Sequence, residues 1–159
     1  ELIDIKDNEI FFKNMKFKGV LIFTGSIDEL FDYKFGKLPY RSLNFEFQTI
    51  NRNTYQEVGT VNYPNNFNFT RITEFKHITG QKNPKTIIVK EYPKLFDNQS
   101  DIPYYPIPKI EYNKIYEKYA ENADTIDNLI LVGRLADYKY FNMDRVIERT
   151  LTIFEEKIR

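Results

Sequence analysis

The sequence has 159 residues, 42% hydrophobic and 29% charged, a composition typical of one globular domain or two small ones. Lys plus Arg and Asp plus Glu are both 23, and a net charge of zero gives no reason to expect nucleic acid or an anionic membrane as a partner. The chain has no cysteine and one histidine, which excludes disulfides, thiolate nucleophiles and multi-histidine metal sites. No apolar run approaches the ~20 residues of a membrane span.

The predicted elements begin with two strands. Residues 1–7 alternate apolar and charged side chains, and residues 20–23 form the core of a second strand that ends at Thr24 and Gly25. An apolar strand closed by Thr-Gly is common in flavoproteins with a dinucleotide-binding fold, where the glycine approaches the cofactor. Residues 27–31 suit one helical turn.

The middle of the chain predicts an antiparallel sheet. Turn signals separate four alternating segments, at 43–49, 58–63, 72–78 and 86–92. Leu43, Phe45 and Phe47 lie on one face of the first. Runs of strands without intervening helices favour antiparallel pairing. We expect residues 94–110 to be irregular, because the prolines there forbid a helix.

The C-terminal part predicts a helix at 111–122, a short strand at 129–132 and a last helix at 142–157. The apolar face of the last helix consists of Val146, Ile147, Thr150, Leu151, Phe154 and Ile158.

Between the last strand and helix, Gly133 allows close approach and Arg134 adds a cation. Asn142 can cap the helix that starts at Met143, whose first N–H groups lack partners. This arrangement suits an anionic or electron-rich ligand. The alternative is an ordinary strand–loop–helix corner with Arg134 in a salt bridge.

Five motifs carry a resemblance to a known family. GRLADYKYFNMD at 133–144 resembles the GRLxxYKYYDMD segment of UDP-galactopyranose mutases. FTGSIDELFDYKFGKLPYRSL at 23–43 resembles the family's YTGxIDxYFDYxFGxLxYRSL, and FTRITEFKH at 69–77 resembles YTRIIEHKH. KEYP at 90–93 and PYYP at 103–106 follow in the family's order. The motifs correspond to the C-terminal half of that enzyme.

The resemblance implies an α/β enzyme, of which this chain holds an α+β part. Residues 27–109 would form an antiparallel sheet domain on the substrate side. Residues 1–26 and 110–159 would belong to a dinucleotide-binding domain for FAD, with the Gly-Arg loop and last helix in the second piece. The family's GxGxxG unit and helical domain lie in an N-terminal half that we expect to be missing here. We therefore expect this chain alone to be inactive and to hold FAD loosely, with a homodimer as one possible outcome.

The resemblance also assigns residues to substrate and cofactor. In the family, the arginine that matches Arg71 contacts the substrate diphosphate. The tyrosines that match Tyr105 and Tyr140 form hydrogen bonds with the diphosphate or line the sugar site. The expected substrate-binding residues are Asn62, Arg71, Tyr105 and Tyr140, and the expected catalytic residues are Arg71, Glu91 and Tyr140. The expected cofactor-binding residues are Thr24, Gly25, Gly133, Arg134, Asn142 and Met143, with no metal.

Each assignment has a structural alternative. Arg71 could form a surface salt bridge, Glu91 could be an exposed strand carboxylate, and Tyr105 and Tyr140 could be packing or loop aromatics. Asn142 also replaces an aspartate common in the family, which removes a negative charge beside the expected flavin and substrate.

The implied function is that of an isomerase, an intramolecular transferase. It would interconvert UDP-galactopyranose and UDP-galactofuranose through a covalent intermediate on N5 of reduced FAD. The product would feed cell-surface polysaccharide or lipopolysaccharide synthesis from the bacterial cytoplasm. Two alternatives remain open: a non-catalytic nucleotide-sugar-binding or assembly module, and another FAD enzyme, such as an amine-oxidase-like protein, that shares the scaffold.

Overall fold

A computed structural model describes residues 2–97 and 100–159 of the chain. Residue 1 of the first predicted strand and residues 98–99 of the predicted irregular segment lie outside the described residues. The strands are β1 (Ile3–Lys6), β2 (Glu9–Phe12), β3 (Met15–Lys16), β4 (Leu21–Phe23), β5 (Tyr40–Ile50), β6 (Thr60–Asn62), β7 (Arg71–Glu74), β8 (Thr86–Leu95), β9 (Tyr105–Pro106) and β10 (Leu129–Leu131). The helices are α1 (Ile27–Leu30), α2 (Phe75–Thr79), α3 (Ile110–Ala123) and α4 (Met143–Lys157). The structure confirms a mixed α and β chain with antiparallel sheets.

The chain divides into two compact units. The first contains residues 1–40 and 103–159, and the second contains residues 41–102. The assignment of chain segments to an FAD domain and a substrate-side domain stays a prediction. In the described part of the chain, no helix is both long and apolar enough to cross a membrane.

The first unit begins with an antiparallel meander, β1–β2–β3, that the sequence analysis missed. Two-residue turns join its strands at Asp7-Asn8 and Lys13-Asn14, and all four residues have positive φ, between 49° and 63°. Such φ values are those of a type I′ hairpin turn, whose twist matches that of the flanking strands. The asparagines were the available signal, because asparagine tolerates the left-handed region better than most residues.

A parallel strand pair, β4 with β10, follows in the same unit. Leu21, Ile22 and Phe23 face Leu129, Ile130 and Leu131. The carboxyl ends of both strands therefore lie side by side, and the segments that leave them, at Thr24 and Gly133, are neighbours. Each of the two strands uses one edge to pair with the other.

Buried polar contacts organise the rest of the first unit. Asp28 of α1 is 2% exposed, and its carboxylate accepts hydrogen bonds from Leu38 N (2.8 Å) and Tyr40 Oη (3.0 Å). Burial raises the pKa of Asp28, while these two hydrogen bonds oppose the shift. The Tyr119 hydroxyl of α3 donates to Gly36 O (2.9 Å) and accepts from Phe35 N (3.1 Å). The second half of the loop after α1 is thus bonded both to α1 and to α3.

The apolar side predicted for α4 is largely exposed and is not the side that the helix buries. Ile153 is the buried residue of this helix, whereas Ile147 and Leu151 are 60% and 61% exposed. Arg149, on the side of Ile153, makes an ion pair with the buried Asp137 (Nη2 to Oδ1 2.9 Å). Helical periodicity finds an apolar stripe, but it does not say which side of the helix is covered in the fold.

In the second unit, strands lie in the order β6–β7–β8–β5, each antiparallel to its neighbour. The strand predicted at 72–78 is wrong beyond Glu74, where α2 begins and interrupts the expected run of strands. Gly80 ends this helix with φ 66° and ψ 14°, the left-handed conformation that glycine adopts without cost. A glycine after a short polar–apolar segment was the signal for a helix end.

The carboxylate of Glu74, the last residue of β7, is bonded to a loop and to another strand. Its side chain is fully buried and accepts hydrogen bonds from Tyr55 N (3.0 Å), Gln56 N (2.9 Å) and Thr86 Oγ1 (2.6 Å). Burial by itself would raise the pKa of Glu74, but these hydrogen bonds and His77 outweigh it and lower the pKa. One ionised side chain therefore connects the loop after β5 with two strands.

We predict that Asp28→Ala destabilises the first unit by about 2–6 kcal/mol, because two donors, Leu38 N–H and Tyr40 O–H, lose their acceptor inside the protein at about 1–3 kcal/mol each. Glu29→Ala, an exposed neighbour on the same helical turn, is the control. Denaturant unfolding measures both variants. Equal free energies of unfolding would show that Asp28 does not support the loop.

We also predict that Glu74 makes the second unit sensitive to acid. A carboxyl with a lowered folded-state pKa stabilises the fold above its ordinary pKa of 4.5, and this stabilisation is lost as pH falls below that value. Hydrogen exchange of the Tyr55 and Gln56 amides should accelerate from pH 5 downward relative to the intrinsic rate. Glu74→Gln should remove this pH dependence, whereas Glu57→Gln, in the same loop, should retain it.

Candidate functional site

The three site residues predicted from the sheet lie in one row across three strands. In the antiparallel register, Asn62 of β6 pairs with Arg71 of β7, and Arg71 pairs with Glu91 of β8. Directly opposed residues of antiparallel strands project to the same face, so the three side chains meet there. The structure therefore brings together residues that are 9 and 20 positions apart in the sequence.

Arg71 is held from both sides of this row. Its Nε donates to Asn62 Oδ1 at 3.0 Å, and its Nη1 lies 3.6 Å from Glu91 Oε2. The Arg71 side chain keeps 42% of its surface exposed, whereas that of Glu91 keeps 15%. The neighbours thus fix the arginine in place and leave much of its guanidinium surface open to a ligand.

The row continues to Phe45, which pairs with Glu91 across β5 and β8. Phe45 is 42% exposed, and Phe47, two residues along the same face, is 65% exposed. The face that the sequence analysis recognised on β5 is therefore open and carries the arginine row. The opposite face of β5 holds the buried Ser42. Sequence alternation alone did not distinguish these two faces.

In the first unit, Arg134 lies beside two tyrosine rings that contact each other. Its guanidinium carbon is 5.6 Å from the ring centroid of Tyr105 and 5.3 Å from that of Tyr140. The two rings are 5.8 Å apart and tilted by 36°. Arg134 Nε also donates to Phe141 O at 2.6 Å. Cation–π contacts and this bond fix the guanidinium, and three predicted site residues form one cluster.

Gly133 has φ +109°, which a residue with a side chain adopts only under strain. A Cβ at this position would lie 3.8 Å from Thr24 Cβ, an ordinary contact, so the backbone conformation and not space requires glycine. Gly133 N–H donates to Asp137 Oδ2 at 3.0 Å. This N–H is therefore engaged within the protein, which restricts the cofactor contacts that Gly133 can make.

A cavity of about 590 Å³ opens at the ends of β4 and β10. Four of the predicted cofactor-binding residues line it, namely Thr24, Gly133, Arg134 and Met143. The other lining residues are Pro103, Tyr104, Val132, Leu135, Val146, Ile147 and Thr150. Gly25 lines a different cavity of about 320 Å³, together with Leu2, Ile3, Phe23, Glu29 and Leu30.

Asn142 begins the last helix as predicted, but its side chain makes no capping hydrogen bond. Its backbone is extended, with φ −72° and ψ 165°, and its carbonyl accepts the first helical bond from Val146 N at 3.1 Å. Met143 is 80% exposed. The helix start thus presents backbone N–H groups and its positive dipole end without a side-chain acceptor from Asn142.

The sequence analysis missed Asp137 and Arg149. The hydrogen bond with Asp137, partly opposed by burial, raises the pKa of Arg149. Burial, together with the charge of Asp137, raises the pKa of the nearby Tyr116 to about 12. A carboxylate four residues after the glycine was the only signal, because the family pattern GRLxxYKYYDMD specifies no residue there. Among the residues that the structure describes, no cluster of three or more potential His, Cys, Asp or Glu ligands could hold a metal ion.

Comparison with known proteins identifies the family. The family model for UDP-galactopyranose mutase matches residues 1–140. The UDP-galactopyranose mutase of Mycoplasma pneumoniae is 35% identical over 99% of this chain, and that of Mycoplasma genitalium is 37% identical over 92%. A dTDP-fucopyranose mutase of Escherichia coli is 36% identical over 84% of the chain.

The chain spans 41%, 37% and 36% of the lengths of these three relatives, respectively. The family model nevertheless covers most of the chain, and it includes the Asn62–Arg71–Glu91 row and the cluster of Arg134 with Tyr105 and Tyr140. The chain belongs to the UDP-galactopyranose mutase family.

Proposed function

We propose that the chain is part of an FAD-dependent mutase that interconverts the pyranose and furanose forms of a nucleotide-linked sugar, UDP-galactose in the first instance. The observation that carries this proposal is the Asn62–Arg71–Glu91 row. It presents a fixed, partly exposed guanidinium on a sheet face that also carries the exposed Phe45 and Phe47. Supply of galactofuranose for cell-surface polysaccharide, from the cytoplasm, is part of the same proposal.

Arg71 suits the diphosphate of the substrate. A guanidinium binds phosphate oxygens with two parallel charge-assisted bonds, and holding it in advance lowers the entropy lost on binding. Asn62 and Glu91 hold Arg71 within the row. Glu91 also offers a carboxylate to the sugar hydroxyls beside the phosphate, and its negative charge balances that of the arginine.

Tyr105 and Tyr140, in the first unit, also suit phosphate as a ligand. Their phenol groups can donate hydrogen bonds to phosphate oxygens without adding charge. Their contacts with Arg134 fix the rings, so each hydroxyl has a defined direction. Tyr140 is 61% exposed, which leaves it available to a ligand.

The cavity at the ends of β4 and β10 fits one side of a flavin. Its walls are mainly apolar, as a planar ring system requires, and Arg134 supplies a cation at one edge. The helix start at Met143 offers N–H groups to the electron-rich pyrimidine edge. When bound in reduced form, FAD would supply N5 as the nucleophile toward the anomeric carbon. The protein residues would hold the diphosphate and sugar in the reacting geometry.

We predict that Arg71→Ala, in the full-length protein that carries this chain, reduces mutase turnover or substrate affinity by about ten- to more than a hundredfold, because one charge-assisted contact is worth roughly 1.5–3 kcal/mol. Bound flavin should be unchanged. Arg71→Lys should recover little, because it keeps the charge but loses the fork. Arg52→Ala removes an exposed arginine from a loop of the same unit and serves as the control.

The same assay should use UDP-galactopyranose and dTDP-fucopyranose, since relatives of both types match at similar identity. Conversion of either substrate by the unaltered protein supports an enzyme. Binding without conversion by either would favour the non-catalytic module instead. Activity of Arg71→Ala equal to that of the unaltered protein would remove Arg71 from the site.

A further prediction concerns Asn142. We expect Asn142→Asp to lower the midpoint potential of bound flavin, because an added negative charge beside the ring disfavours its reduction. Spectroscopic redox titration measures this potential. Asn142→Ala is the control and should leave the potential close to that of the unaltered protein. An unchanged potential in Asn142→Asp would mean that the helix start does not face the flavin.

A further inference from the structure

The Gly133–Asp137 turn is closed by two hydrogen bonds between its end residues. Asp137 N donates to Gly133 O at 2.8 Å, and Gly133 N donates to Asp137 Oδ2 at 3.0 Å. The second bond uses the side chain, so it depends on residue 137 having an acceptor there. Asp137 is only 5% exposed, and water has little access to replace this acceptor.

Arg149 engages the same carboxylate from α4. Its Nη2 lies 2.9 Å from Asp137 Oδ1, and its Nε lies 3.5 Å from Asp137 Oδ2. The fork geometry fixes the orientation of the carboxylate as well as its distance. Asp137 thereby connects two segments: the turn that begins at Gly133 and the helix that begins at Met143.

These two segments are the two main walls of the 590 Å³ cavity. The turn contributes Gly133, Arg134 and Leu135, and the helix contributes Met143, Val146, Ile147 and Thr150. Neither Asp137 nor Arg149 lines the cavity. The ion pair therefore lies outside the cavity and joins the two segments that form its walls.

We propose that Asp137 and Arg149 are a positioning pair for FAD. They hold the Gly133–Arg134 turn and the start of α4 at the separation that the flavin requires. This inference rests on the proposed function, because that function places FAD in the cavity. It assigns roles to two residues that would not touch the cofactor, and it explains why the Gly133 N–H is directed into the protein.

Asp137 and Arg149 act as a unit, so single and double variants should differ in a characteristic way. Removing Arg149 leaves the charge of the buried Asp137 poorly compensated, while removing both partners leaves no uncompensated charge. Asp137→Asn keeps the shape and one acceptor oxygen but places an amide donor near the guanidinium. Arg149→Lys keeps the positive charge and loses the fork. The double variant Asp137→Asn with Arg149→Gln should therefore be less impaired than the sum of its parts.

The experiment measures FAD affinity in the full-length protein for these variants, at a temperature well below each melting point. We expect Asp137→Asn and Arg149→Gln each to raise the FAD Kd by about tenfold or more, the typical effect of a lost charge-assisted bond. Arg149→Lys should give an intermediate value. The visible spectrum of the bound flavin should also shift, because the ring environment changes. Glu155→Gln breaks the exposed pair with Arg159 on the same helix and should leave the Kd unchanged.

Amide hydrogen exchange of the intact protein, followed in the segment 130–140, provides a measurement that does not need the cofactor. In the FAD-free protein, Asp137→Ala should speed exchange at Gly133, which loses its acceptor, while Glu155→Gln should not. Faster exchange together with weaker FAD binding supports the positioning pair.

Three results would overturn the inference. Lower melting temperatures with an unchanged FAD Kd and spectrum would make the pair structural only. Weaker FAD binding without faster Gly133 exchange would show that the turn is not what the pair holds. If the unaltered protein binds no FAD, the proposed function fails, and the role of the pair toward FAD fails with it. The unaltered protein thus distinguishes the two failures.

Discussion

A carboxylate can be buried only where hydrogen-bond donors surround it, and this requirement determines much of the local structure. Asp28 receives a backbone N–H and a tyrosine hydroxyl, Glu74 receives two backbone N–H groups and a threonine hydroxyl, and Asp137 receives a glycine N–H and an arginine. In each case the donors come from loops or from a second element. Each acid therefore defines the path of a segment that apolar packing alone would leave loosely determined.

The arginine row depends on a different constraint, the antiparallel register. Asn62, Arg71 and Glu91 meet because β6, β7 and β8 pair without a bulge at these positions. A slip of one residue in β7 would turn Arg71 to the opposite face and bring Ile72 into its place. The buried Ile72, which is 2% exposed, opposes that slip. Packing on one face of the sheet thus maintains the polar arrangement on the other.

The sequence predicted elements wherever periodicity or apolar runs were strong. The strands at β4, β5, β8 and β10, the helical turn at α1 and the helices α3 and α4 are all confirmed. The failures were local: the hairpins at Asp7-Asn8 and Lys13-Asn14, and the short helix after Glu74. There, turn conformation and long-range hydrogen bonds outweigh alternation. The inward side of α4 depends on the Asp137–Arg149 pair, which no periodicity contains.

The motif resemblance identified most residues of the two clusters, whereas their spacing in the sequence did not. Nothing in the separation of Arg71 from Glu91 indicates contact until β7 and β8 are paired. Likewise, Arg134 and Tyr105 are distant in sequence, and their contact requires the loop before α3 to return to the end of β10. Asp137 was missed for the opposite reason. The family pattern is open at that position, so its role appears only when its hydrogen bonds are seen.

The β4–β10 pair has a consequence for how the chain folds. Its strands come from opposite ends of the sequence, and near them Asn128 Nδ2 donates to Gly19 O across 109 residues, at 2.8 Å. Closing so long a loop in a disordered chain is entropically costly and slow. The second unit lies within that loop, and a hydrogen bond from Ser42 Oγ to Ile102 O (2.8 Å) brings its two ends together. If residues 41–102 fold first, the remaining loop is much shorter, so early folding of the inserted unit would accelerate the pairing of the outer strands.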